Sequence, residues 1–213
     1  MSENVWEGLR VIDISPPISD KTAVFPGDVP YQRDISMDST KDDHMTLSSV
    51  TTTLHLGAHT DAPNHYSSDG SGIEARSLNL YIGPCAVIKV ERCENGKIGL
   101  DNLPDELPAP RLLFKTGSFP DSENWNDDFW FFCPKLVENF AHRGGILLGI
   151  DTPSIDPSDS KELPAHKAIS ENDLAILEGI VLDNVDPGIY NLIALPLPLV
   201  DADASPVRAV LIP

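Results

Sequence analysis

Thiols are scarce in this chain. Three cysteines, Cys85, Cys93 and Cys133, are spread over 213 residues with no C-x-x-C spacing. That excludes a disulfide framework and a thiolate zinc site as organising features. Basic residues are also few: 15 Lys and Arg stand against 33 Asp and Glu, a formal charge of −18. A surplus of that sign repels phosphate backbones and anionic headgroups, so the expected partners include neither nucleic acid nor membrane. No apolar run approaches the length that crosses a bilayer. The opening stretch MSENVWEGLR has no apolar core segment or cleavage signal, so the expected setting is a reduced cytoplasm. Internal repeats, low-complexity tracts and linkers are missing too. At this length one domain with a sizeable core is the simplest organisation.

Histidine is the exception to this sparseness, by placement rather than number. Three of the six histidines fall in the eleven residues HLGAHTDAPNH, as His55, His59 and His65, with Asp61 among them. Imidazole nitrogen with carboxylate oxygen is a borderline donor set that suits zinc, and other divalent metals less selectively. Alternate residues of an extended strand share one face. Four extended residues span roughly 13 Å, however, too far for two imidazoles to share an ion comfortably. A helix would bring them within about 6 Å. The preceding Thr51-Thr52-Thr53 favours strand, and Pro63 interrupts any helix. Gly57 can adopt backbone angles closed to other residues. The expectation is therefore a strand that bends at Gly57 and folds His55, His59 and Asp61 around a metal. His44 and His142 fit no spacing pattern and read as ordinary histidines.

The remaining chain reads as mixed α/β with many strands and few helices. RVIDIS (10–15) alternates and is closed by Pro16-Pro17, while Phe25-Pro26-Gly27-Asp28 is a turn. Residues 34–43 are polar and read as loop, and 47–54 as strand leading into the histidine cluster. Further strands are expected at 85–91, 111–116, 146–150, 192–195 and 207–212. Leu136, Val137 and Phe140 recur with helical period over 133–143, stopped by Gly144-Gly145. After the apolar run ILLGI come turn formers, Asp151 to His166, where scaffolds usually place chemistry. Ser170-Glu171-Asn172-Asp173 resembles a capping box, predicting a helix through Leu174, Ile176 and Leu177 to Gly179. Glu178 would then face the negative end of the helix dipole, a cost of about 0.3–1 kcal/mol unless a cation sits nearby. By themselves His166 and Glu178 read as unremarkable residues.

Taken together these residues resemble the bacterial kynurenine formamidases (arylformamidases) of the metal-dependent cyclase family. The family pattern H-x-G-T-H-x-D-x-P-x-H is met by His55, Gly57, His59, Asp61, Pro63 and His65. Further similar tracts are DISPPIS, FPGD, YIGPC, GIDTPSIDPSDSK, AILEGIVLDNV and LIALPLPLVDADASPVRAVL, so the likeness runs through nearly the whole chain. It implies an α/β domain of central mixed β-structure (a swivelling β/β/α, cyclase-like arrangement) flanked by a few helices, in a homodimer. It implies two zinc ions per subunit, with manganese or another divalent metal as a substitute. His55, His59 and Asp61 would hold the first, and Asp61 would bridge to a second held by His166 and Glu178. His65 would be the acid/base rather than a ligand, and Phe25 would pack on the substrate ring.

Three positions depart from the family pattern. Phe25 stands where these enzymes typically have tryptophan, Ala58 where threonine is usual, and Lys167 where relatives often have histidine. The implied reaction is hydrolysis of N-formyl-L-kynurenine to L-kynurenine and formate, with metal-activated water as nucleophile. Two alternatives stand beside it. A sister hydrolase of another cyclic or aryl amide or a lactone, isatin among them, would use the same ligands. A non-catalytic metal-binding protein would instead close its site with four protein ligands.

Overall fold

A computed structural model describes residues 8–91 and 93–213; the amino-terminal segment read above for an export signal falls largely outside them. In chain order the strands are β1 (Ile12–Asp13), β2 (Gln32–Met37), β3 (Leu47–Thr51), β4 (His59–Asp61), β5 (Ile82–Lys89), β6 (Lys97–Ile98), β7 (Arg111–Lys115) and β8 (Phe131–Phe132). Helix α1 (Pro134–His142), β9 (Leu147–Ile150), helix α2 (Pro164–Glu171), β10 (Ala175–Leu177), β11 (Gly188–Ile193), β12 (Ala204–Pro206) and β13 (Val210–Ile212) complete the series.

The runs RLLFK and LLGI become β7 and β9, neighbours in a seven-stranded sheet ordered β1-β13-β11-β5-β7-β9-β10. Both are apolar almost throughout because both faces are covered, as in parallel sheets generally. Strands β5, β7, β9 and β10 run parallel; β11, β13 and β1 continue the sheet antiparallel. Side chains alternate between two cores. Leu112, Phe114, Leu148, Ile150 and Ile176 meet Leu136, Val137 and Phe140 of α1 and Ala165 and Ile169 of α2. Leu113, Leu147, Ala175 and Leu177 meet Ile14, Tyr81, Leu182 and Leu211 on the other face. The expected α/β class and central mixed sheet with few helices are what the chain forms.

Two expectations fail. The segment read as a helix through Leu177 is divided: α2 starts at Pro164, ends before Asn172, and Ala175–Leu177 is buried strand β10. Asp173 adopts the left-handed conformation (φ 50°) and turns the chain away from the helix. Pairing of Ala175–Leu177 with Leu147–Gly149 then outweighs the helical signal. Glu178 therefore follows a strand, and the dipole cost does not arise. Residues 34–37 are the second failure, since they belong to β2, which pairs with β3 in a hairpin, whereas 38–43 lie in its loop as expected. Nearly every residue of that hairpin is exposed, so burial imposed no apolar alternation that the sequence could display.

Parallel strands bring their carboxyl ends together, and ligand sites in such sheets usually lie just beyond them. Thr116, Asp151 and Glu178 directly follow β7, β9 and β10. The sheet also curls there. His59 and Glu178 exchange backbone hydrogen bonds of 3.1 and 3.0 Å, attaching β4 beside the end of β10. Strand β4 pairs in turn with β12. The histidine-rich stretch is thus stitched to the end of the parallel sheet.

Candidate metal centre

Gly57 takes a φ of +56°, so the extended chain bends there as expected. The bend leaves the Gly57 carbonyl 2.9 Å from His59 Nδ1. A carbonyl only accepts, so Nδ1 carries the proton, and in the neutral ring the Nε2 lone pair points inward. It meets Asp61 Oδ1 at 3.6 Å and Glu178 Oε2 at 3.1 Å. His166 projects from α2, where its Nδ1 donates to Asp156 at 2.7 Å. Its Nε2 lies 3.5 Å from both Asp61 Oδ2 and Glu178 Oε1. His55 contacts Asp203 through Nε2 at 3.0 Å and faces Asp61 Oδ1 through Nδ1 at 3.0 Å. Each of these three rings has its outer nitrogen beside an oxygen; the inner nitrogens of His59 and His166 face both Asp61 and Glu178, and that of His55 faces Asp61. Metal-binding histidines are oriented by outer oxygens in this way.

The five residues expected as ligands are thus gathered from β4, its approach, α2 and the end of β10. His59, Asp61, His166 and Glu178 are buried. His59 Nε2 and both Asp61 carboxylate oxygens are buried and find no hydrogen-bond partner among the described residues. Lone pairs aimed at carboxylates repel unless a cation or proton lies between, and buried unpaired polar atoms are costly. A divalent ion fits those donors. Two groups, His55–Asp61–His65 and His59–Asp61–Glu178, each bring their ligand atoms within 4.8 Å of one another, and Asp61 belongs to both. His65, on the turn Pro63–His65, lies beside them with Nε2 3.9 Å from Asp61 Oδ2.

In the metal-free protein, protons take the place of cations. Burial opposes charge on His55, but contacts with Asp61 and Asp203 prevail and raise it to about 9. Burial likewise opposes charge on His166, which Asp156, Asp61 and Glu178 raise well above the usual value. Asp61 would be raised by burial, yet His166 and His55 hold it well below the ordinary carboxylate range. Burial, helped by the nearby His55 and His166, leaves His65 lowered despite Asp61 and Glu178. A histidine raised on folding stabilises fully below its unfolded value of 6.5 and loses that contribution as pH climbs through the folded value, about 9 for His55. Chelator-treated protein should therefore melt at lower temperature at pH 9.5 than at pH 6, and saturating zinc should remove the difference. A metal-free melting temperature that rises over this interval would contradict the assignment.

Gly179 holds the bend from the other side. Its φ is +64°, and a Cβ there would lie 2.1 Å from the Gly57 oxygen that orients His59. Left-handed strain and displaced packing together predict that Gly179→Ala lowers unfolding free energy by roughly 2–4 kcal/mol. Denaturant unfolding checks this; an unchanged midpoint would show that the close approach is unimportant.

Sequence reasoning missed the outer oxygens, Asp156 and Asp203. It also missed Asp151, whose carboxylate accepts from the Thr116 and Gly117 amides at 2.9–3.0 Å. Both Asp156 and Asp203 lie in tracts that carry the family likeness, the one available signal. Phe25 lines the same cavity of about 520 Å³ as the histidines, on the expected turn closed by Asp28 N–H to Phe25 O at 2.9 Å. It is 42% exposed, not packed inward. Lys167 pairs with Glu162 at the surface.

An α/β fold with an imidazole–carboxylate cluster at the ends of its parallel strands defines a class, and the comparisons specify it. The chain belongs to the cyclase family: a family model described as a putative cyclase matches residues 12–157. Kynurenine formamidases are its similar curated relatives. Those of Bordetella pertussis (strain Tohama I / ATCC BAA-589 / NCTC 13251) and Bordetella petrii (strain ATCC BAA-461 / DSM 12804 / CCUG 43448) are 46% and 44% identical over 208 residues, covering 95% of this chain and 97% of each relative. A solved structure described as a potential metal-dependent hydrolase with cyclase activity matches with TM-score 0.82 at 27% identity, over 96% of this chain and 98% of that one. An isatin hydrolase bound to the product analogue thioisatinate shares the fold, with TM-score 0.80 at 16% identity over 97% and 93%.

Proposed function

We propose that this chain is a zinc-dependent amidohydrolase that converts N-formyl-L-kynurenine to L-kynurenine and formate, a step of tryptophan degradation. The observation that carries the reading is the set of three imidazoles, each held from outside by an oxygen and aimed at Asp61 or Glu178. The 46% identity to a kynurenine formamidase supports this choice of substrate. His55, His59 and Asp61 would hold one ion, and His166 and Glu178, together with Asp61, would hold a second. A divalent metal there supplies Lewis acidity, lowering the pKa of water and polarising a carbonyl oxygen.

The chain's own residues do the rest. Buried Asp61 and Glu178 supply the negative charge that keeps the ions in place. His65 borders the same cavity, and its lowered proton affinity leaves it neutral near pH 7, able to take a proton from the attacking water. It returns that proton to the aniline nitrogen as the C–N bond breaks, so the amine leaves neutral and the hydroxyl stays on the formyl carbon as formic acid, which ionises to formate in water. Phe25 borders the ring's position. The working form is a cytoplasmic homodimer.

The test is hydrolysis of N-formyl-L-kynurenine, isatin and simple aryl formamides by purified protein, with metal analysis of the same sample. We expect turnover of the aryl formamides, abolished by chelation and restored by zinc or manganese. Failure of fully metal-loaded protein to release formate would overturn the reading. Preference for isatin would move the chain to cyclic amides.

A further inference from the structure

The cavity has one wall that the metal chemistry does not use. Residues between β7 and β8 form a loop that brings Phe119 and Trp125 to the cavity, beside Phe25 from the turn. Trp125 packs edge-to-face with Phe25 (ring centroids 5.3 Å apart, planes at 73°), with Phe119 (5.9 Å, 69°) and with Phe129 (5.9 Å, 83°). Phe129 is buried and fixes the cluster from behind. The loop is tied at three further points. Thr116 and Gly117 donate to Asp151, Trp130 N–H donates to Ser118 Oγ at 2.9 Å, and Ala23 N–H donates to Ser122 O at 2.8 Å.

Resting on the proposed activity, we infer that Trp125 is the principal contact for the substrate's aromatic ring. It takes over the role for which Phe25 offers a smaller, less constrained surface. The indole has two things to offer a ligand, a donor and a π-face. Its Nε1–H is already committed to Asp127 at 2.8 Å. What the indole offers the cavity it lines is apolar ring surface, which recognises a planar ring by packing and does not select polar substituents. A wall held by three ring contacts loses little freedom when a ligand stacks on it, which favours binding. The site therefore selects for an aryl amine product and is tolerant of what the ring carries on its far side.

The experiment uses metal-loaded enzyme and two probes: N-formyl-L-kynurenine for turnover, and 2-aminoacetophenone, which has the product's ring and ketone without its amino-acid end, for binding by calorimetry. Trp125→Ala should weaken 2-aminoacetophenone binding about tenfold or more and raise KM for the substrate similarly. Trp125→Phe, which keeps an aromatic face, should recover most of both. Unchanged binding by Trp125→Ala, failure of the wild type to bind the probe, or equal loss in Trp125→Phe would each overturn the inference. The outcomes separate it from the activity itself. A wild type that binds the probe through Trp125 but does not hydrolyse the formamide leaves the ring site standing and removes the reaction. Turnover with Trp125-independent binding does the reverse.

Discussion

Asp61→Asn should cost roughly a thousandfold or more in kcat/KM, about 4 kcal/mol of transition-state stabilisation, and most of the bound metal with it. Oδ1 of Asp61 faces His55 and His59, and Oδ2 faces His166 and His65, so one carboxylate touches every imidazole of the cluster. Both oxygens are buried and find no hydrogen-bond partner among the described residues. The amide has the same shape, so the surrounding chain has no steric reason to move. It carries no charge, however, and one of its two atoms becomes a donor with no capacity to bind a cation. Metal content by mass spectrometry, turnover and a thermal melt on one preparation would check this. A folded Asp61→Asn protein that keeps two ions and near-normal turnover would end the proposal that Asp61 bridges them. A variant that merely unfolds would be resolved by Asp61→Glu, which restores charge at altered reach and should recover metal before it recovers rate.

How far the sequence shows this depends on what sets each feature. The window from His55 to His65 is legible because its ligands are close in the chain and of uncommon types. The bend at Gly57 is legible because only a residue without Cβ takes that φ easily. Strand β9 declares itself as an unbroken apolar run and β7 through its apolar centre Leu112–Phe114, a consequence of being covered on both sides. Glu178 is different. Its segment has a helix-like start signal, and only pairing with β9, a contact made in space, turns Ala175–Leu177 into strand. The likeness to the family singled out Glu178 and His166 where their local context did not, and the fold brings them together beside Asp61. Asp156 and Asp203 could not be found from spacing, since Asp203 meets His55 across 148 residues of chain. In a sequence with 33 acidic residues, nothing local distinguishes the few that orient a histidine. The aromatic wall is hidden for the same reason: Phe25 and Trp125 are brought together by the fold alone.

His65→Ala is expected to retain its metal while losing about 10²- to 10⁴-fold in kcat, the usual range for a positioned acid/base. Proximity does not decide the matter, because His65 is close enough to Asp61 to share an ion with His55. Its surroundings do discriminate. The three rings assigned as ligands have an outer nitrogen within 3.0 Å of an oxygen. For His65 the corresponding contact, Nδ1 to Asp203, is 3.8 Å, beyond hydrogen-bonding distance. Its side chain is 31% exposed, against 3% for His59 and His166, and it borders the open cavity. A ligand benefits from being fixed, whereas a group that collects a proton at one atom and delivers it to another needs access to both. Burial also lowers the proton affinity of His65, which suits a base that starts neutral. Metal analysis paired with kinetics separates the alternatives, because loss of one equivalent of metal along with activity would make His65 a ligand. Partial recovery of turnover by added imidazole, with metal content unchanged, would show that what the variant lacks is a proton carrier.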